Sequence, residues 1–206
     1  MRPVMAICLC LFATASVCAG ETIEQVLERR TQLHALKHVA DDDDRVAVIR
    51  VSYERLLAGG QGPETPTELH VVEGSIVAAC MFGRVIVAHA SLASVPEGER
   101  LFVLAHELGH VAHGHWAHFG SAFRKHVPGE VTQEGTDAAA ARLGPEMSAL
   151  AHAHELDADA YGLRALHRFG FGIDTVLASF MRYGTARQGD ASRDSQAPVL
   201  LANNRK

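Results

Sequence analysis

Cysteine is scarce in this chain, and most of it lies at the start. Cys8, Cys10 and Cys18 fall in the first apolar segment, and Cys80 stands alone in the remainder. A lone thiol has no partner for an intramolecular disulfide, so the body of the chain is not a disulfide-stapled scaffold. Cys80 sits in a strand-like run and reads as a small buried hydrophobe; without a second Cys, a thiolate metal site is not expected. An excess of positive charge is also missing. The formal net charge is −5, which gives no electrostatic reason to expect nucleic acid as a partner. Long hydrophobic runs are absent. The apolar stretch Val4–Val17 falls short of the ~20 residues of a spanning helix, so no transmembrane span is expected. There is no internal repeat, and low complexity is confined to the acidic run Asp41–Asp44. That run lacks the spacing and Gly of an EF-hand loop. It reads as a solvated loop, with Asp44 capping the next helix.

The N-terminal segment has the form of a secretory signal. Arg2 supplies a positive start, Val4–Val17 an apolar centre, and Val17-Cys18-Ala19 a small-residue cleavage site. Residues 1–20 are therefore expected to be a signal peptide and the protein to be periplasmic. A lipoprotein anchored at Cys18 is the alternative, although Ala15-Ser16-Val17 is a poor lipidation context. A chain of 206 residues with 48% apolar content suits one globular domain. Its expected extent is 21–187, followed by a flexible polar tail at 188–206.

Periodicity gives the elements. Glu21–Val39 carries apolar residues at helical spacing and reads as one amphipathic helix. Arg45–Leu57 reads as a second, followed by a Gly/Pro loop from Gly59 to Pro66. Leu69–Glu73, Ser75–Cys80 and Val85–Ala88 read as short strands. Glu97–His113 is a helix opened by Pro96, and Trp116–Lys125 continues helically. Val127–Thr136 is expected to be loop. A long helix is expected to open at Pro145, and after Gly170-Phe171-Gly172 another spans Ile173–Arg187. The fold class is α+β: mainly helical, with a small β-sheet beside the helix at Glu97–His113.

The chemistry concentrates in His106-Glu107-Leu108-Gly109-His110. Residues four apart share a helix face, so His106 and His110 can hold one metal ion between them. Glu107, about 100° round the helix, can lean toward a water on that metal. A buried helix is an unusual place for these residues. The apolar run Leu101–Ala105 precedes them, and Gly109 costs a helix interior about 1 kcal/mol, which a close approach at that point would explain. Catalytic zinc takes three protein ligands and leaves a position open. Downstream, His154-Glu155-Leu156-Asp157-Ala158-Asp159-Ala160-Tyr161-Gly162 offers Glu155 as the third. Asp159, one turn on, can accept the other ring N–H of His106. His113, His115 and His118 read as a polar helix end, with an auxiliary metal site as the sharper alternative.

These two motifs together resemble the M48 family of zinc metallopeptidases, over roughly residues 45–183. The resemblance implies that His106, His110 and Glu155 bind one Zn2+ per chain. It makes Glu107 the catalytic base and Asp159 the carboxylate behind a ligand. His115 sits where many members carry a further His. The chain departs from the family in two places. The stretch His70–Val77 lacks the Asn-Ala pair often found before the strands. Tyr183–Lys206 contains no His and only Pro198, where many members carry His-Pro and a later Arg.

The expected activity is zinc-dependent endopeptidase cleavage of exported polypeptides, with misfolded envelope proteins as the generic substrate class. Glu107 would act on a zinc-bound water, and an extended substrate would add to a sheet edge. Tyr161, His167, Arg182, Tyr183 and Arg187 are candidate oxyanion donors. One alternative is a chaperone-like or binding module that keeps the zinc site without turnover. A second is a latent peptidase whose open position is filled by His118 or His126.

Overall fold

The computed structural model describes residues 21–191. The expected signal peptide, Cys18 and the tail from residue 192 lie outside the described residues.

The segment expected to be one helix from Glu21 to Val39 is instead α1 (Ile23–Glu28), α2 (Thr31–Ala35) and strand β1 (Lys37–His38). Thr22 opens α1 with a capping box to Gln25. Arg29 and Leu36 then leave helical geometry, and the chain pairs with a neighbouring strand. Strand pairing prevails over local periodicity here: the Val39 N–H donates to Val71 O, and Lys37 pairs with Glu73. Helix α3 (Asp44–Leu56) is capped by Asp43, one residue earlier than expected, through the Arg45 N–H at 2.8 Å.

Strands β2 (Glu68–Glu73), β3 (Ala78–Met81) and β4 (Val85–His89) complete a sheet of order β1-β2-β4-β3. β4 runs parallel to β2, from Glu68↔Val85 to Val72↔His89. It runs antiparallel to β3, from Ala78↔Ala88 to Met81↔Val85. Alternation decides which face meets which neighbour. Val71, Ile86 and Ala88 face the main core. Val72, Val85 and Val87 face a smaller cluster closed by Leu33. Cys80 is partly buried against the main core.

A 3-10 turn (Ala90–Ser94) leads into α4 (Glu97–Ala112), which carries the first motif. Leu101, Leu104, Ala105 and Leu108 are fully buried, so α4 is the central rod of the domain. Its start is fixed by the buried Arg100. That side chain donates to Ser52 Oγ of α3 at 2.7 Å and to the carbonyl of Val95 at 2.9 Å. Helix α5 (His115–His126) follows at once. Helix α6 runs from Gln133 to Arg168 and α7 from Ile173 to Ala191, past the expected end at Arg187.

Pro145 does not open α6; it lies inside it. The expected loop at Val127–Thr136 is correspondingly shorter, ended by a Thr132 cap on the Gly135 N–H. Proline removes one helix hydrogen bond and also crowds the residue before it. Here that residue is Gly144, which has no Cβ to crowd. The remaining cost is opposed by Leu143 and Met147, buried against Phe119 and Ala122 of α5, at roughly 1.5–3 kcal/mol for each large apolar side chain. Among the described residues, no helix is long and apolar enough to cross a membrane.

Candidate metal centre

Helices α4 and α6 pack closely at two glycines. A Cβ on Gly109 of α4 would lie 2.9 Å from Tyr161 Cβ and 3.0 Å from Ala158 Cα of α6. A Cβ on Gly162 would lie 2.9 Å from the Phe102 ring. Gly109 lets the α6 backbone approach at Ala158, and Gly162 makes room for the Phe102 ring. The close approach anticipated at Gly109 is thus the approach of α6.

That contact carries Glu155 and Asp159 to the motif. His106 Nε2 and His110 Nε2 are 3.2 Å apart. Glu155 lies 3.5 Å from the first and 3.6 Å from the second. One donor atom from each of the three residues falls within 4.8 Å of the others, in a partly buried group able to hold a metal ion. Asp159 Oδ1 accepts from His106 Nδ1 at 2.9 Å, so Nε2 is the ring nitrogen turned toward the group. Glu107 is buried on the same helix.

The electrostatics favour a cation. Burial opposes charge on His106, but the Asp159 and Glu155 hydrogen bonds outweigh it, and the ring is raised to about 10. Burial and the neighbouring His106 charge lower His110 to about 3. Two carboxylates against a neutral imidazole and a readily charged one form a site short of positive charge. This donor set suits zinc, which is bound by imidazole nitrogen and carboxylate oxygen.

The family model for peptidase family M48 matches residues 44–193. The chain belongs to peptidase family M48. Among curated proteins, none matches it at a significant level. As an M48 member the chain carries a metallopeptidase domain, mainly helical with a small mixed sheet, and polypeptides are its substrate class.

The other histidines have separate places. His113 ends α4 and stacks on His115 with ring centroids 5.6 Å apart. His115 is 2% exposed, and its Nδ1 lies 2.9 Å from His110 Nδ1. It therefore does not belong to a solvated helix end. His118 pairs with His154 at 3.2 Å, and His126 pairs with Glu146 at 2.6 Å. Neither His118 nor His126 enters the His106–His110–Glu155 group, so the latent reading finds no blocking imidazole in these two. Burial lowers His154, whose Nδ1 is buried without a partner.

Of the candidate oxyanion donors, Arg182 donates to buried Glu99 at 2.6 and 3.2 Å and so ties α7 to α4. Tyr161 packs against Gly109 and lines a cavity of about 480 Å³ with His113 and Arg164. His167 lines a groove between α6 and α7. The side chains of Tyr183 and Arg187 lie outside the described set. Sequence reasoning missed the placement of His115 against His110. The available signal was a His five positions past His110 with Gly114 between them.

Proposed function

We propose that this chain is a single-zinc endopeptidase acting on exported polypeptides in the periplasm. In this reading His106, His110 and Glu155 hold the metal, Asp159 orients His106, and Glu107 is the general base. One observation carries it: two imidazole Nε2 atoms 3.2 Å apart face a carboxylate 3.5 and 3.6 Å away. Bound there, zinc would polarise the scissile carbonyl and acidify the attacking water. Glu107 takes the proton from that water and delivers it to the leaving amine. Glu107 is buried away from bulk water, and in that lower dielectric its charge acts more strongly on its neighbours. An extended substrate adds to the edge at β3, the strand of the sheet's rim nearest α4, and its backbone supplies the pairing. Misfolded envelope proteins, which expose extended backbone, are the substrate class this favours.

Zinc content and casein cleavage of the exported form test the reading, with wild type beside Glu107→Gln. Both proteins should bind one zinc, and the variant should lose activity by about 10²–10⁴-fold or more. Zinc in both with cleavage by neither would overturn the peptidase reading and leave a zinc-stabilised binding module.

A further inference from the structure

Two ligand histidines have two different partners. His106 Nδ1 meets the carboxylate of Asp159, whereas His110 Nδ1 meets another imidazole, His115 Nδ1, at 2.9 Å. On an unbroken helix a residue five positions on points away from His110. The chain breaks at Gly114, in the left-handed region at φ 63° and ψ 29°, and α5 begins at the next residue. The break turns His115 back onto His110. Its ring is 2% exposed and lies flat on His154, with centroids 3.9 Å apart and planes 8° apart.

We propose that His115 is a positioning residue that fixes the tautomer and orientation of His110. The inference rests on the zinc reading of the site. A metal on His110 Nε2 requires the ring proton on Nδ1. That N–H donates to His115 Nδ1, which must then be bare, so the His115 proton sits on Nε2. From there it points toward the side of Asp157, whose Oδ2 is 3.9 Å away. Stacking on His154 holds the acceptor in place. The choice of imidazole over carboxylate has a consequence for charge. Glu107, Glu155 and Asp159 already bring three negative charges to the neighbourhood of a divalent ion. A fourth carboxylate behind His110 would deepen that negative excess and blunt the ion's pull on a carbonyl, whereas neutral His115 supplies the hydrogen bond without the charge.

Zinc affinity, measured by competition with a chromophoric chelator, tests this in wild type, His115→Phe and His115→Asn. Phenylalanine keeps a flat ring against His154 but accepts nothing. Asparagine loses the stack but places Oδ1 where His115 carries Nδ1. The Phe variant should bind zinc about 10- to 100-fold more weakly, as when a ligand's supporting partner is lost, and the Asn variant should recover most of that loss. A Phe variant that is folded by circular dichroism and binds within twofold of wild type would overturn the proposal. So would an Asn variant as weak as Phe, because packing alone would then explain the site. If either variant fails to fold, 15N shifts of the zinc-loaded wild type decide the matter. His115 should show bare Nδ1 and protonated Nε2, and the reverse tautomer refutes the proposal. A wild type that binds no zinc removes the metal reading itself, an outcome the first titration separates from the rest.

Discussion

Gly109→Ala asks whether the centre is a joint property of two helices. In an isolated helix this change stabilises by about 1 kcal/mol, because glycine is the poorer helix former. Here the added Cβ would stand 2.9 Å from Tyr161 Cβ and 3.0 Å from Ala158 Cα. Ala158 Cα is backbone, so no rotamer change relieves the contact and α6 must withdraw. A withdrawal of about 0.5 Å equals the whole tolerance within which a working site is held. Glu155 and Asp159 ride on that helix, and ligand distances to zinc tolerate only about ±0.2 Å. Overpacking of this kind costs about 1–3 kcal/mol. Set against the propensity gain, the metal-free protein should lose about 0–2 kcal/mol, while zinc affinity falls by about tenfold or more. Urea unfolding of the metal-free protein and a chelator-competition titration read the two quantities separately. A variant that is about 1 kcal/mol more stable, with unchanged zinc affinity, would refute the claim that α6 is seated on Gly109.

Asp159→Asn keeps an oxygen for His106 Nδ1 and removes the charge, so zinc affinity should drop by about 10- to 100-fold in the same titration. In the metal-free protein His106, raised to about 10, keeps its proton at neutral pH. Zinc uptake should therefore release about one proton, and affinity should climb about tenfold per pH unit from 6.5 toward 10, as calorimetry in buffers of different ionisation enthalpy would show. The stability of the metal-free protein should peak near pH 6.5. The contribution of His106, whose folded pKa is raised, is complete below about 6.5 and is lost as pH rises through about 10. His110 and His115 are lowered to about 3, chiefly by burial, so the unfolded chain takes up their protons first. Below pH 6.5 stability should then fall by up to about 1.4 kcal/mol per pH unit for each ring; urea midpoints that are flat from pH 4 to 9 would contradict both signs. Arg182→Ala leaves Glu99, 4% exposed, without its bidentate donor. It should cost about 1.5–3 kcal/mol in thermal or urea unfolding, with zinc affinity kept.

Much of this architecture was legible because short-range rules decided it. The strands, the metal helix from Glu97 and the helix ending near Arg168 follow from apolar spacing and from Gly and Pro punctuation. Where those rules failed, a partner distant in sequence had prevailed. Lys37 and His38 join β2 because Val72 and Glu73 offer an edge to pair with, which no window on residues 21–39 contains. Pro145 looks like a helix start, yet it is carried inside α6 by Leu143 and Met147 packing on α5 and by a preceding glycine.

The metal centre divides in the same way. His106 and His110 are neighbours by helical spacing alone, and Glu155 and Asp159 by theirs, so each pair could be read locally. Their meeting could be inferred only from what zinc requires, because it depends on two glycines that let α4 and α6 touch. His115 marks the limit of local reading. At helical spacing it belongs on another face from His110, and counting residues assigns it to a polar helix end. A single left-handed residue at Gly114 reverses that assignment. Only the turn geometry shows that one of this chain's many histidines lies buried behind His110, and that is why the two rings, alike in the motif, differ in what stands behind them.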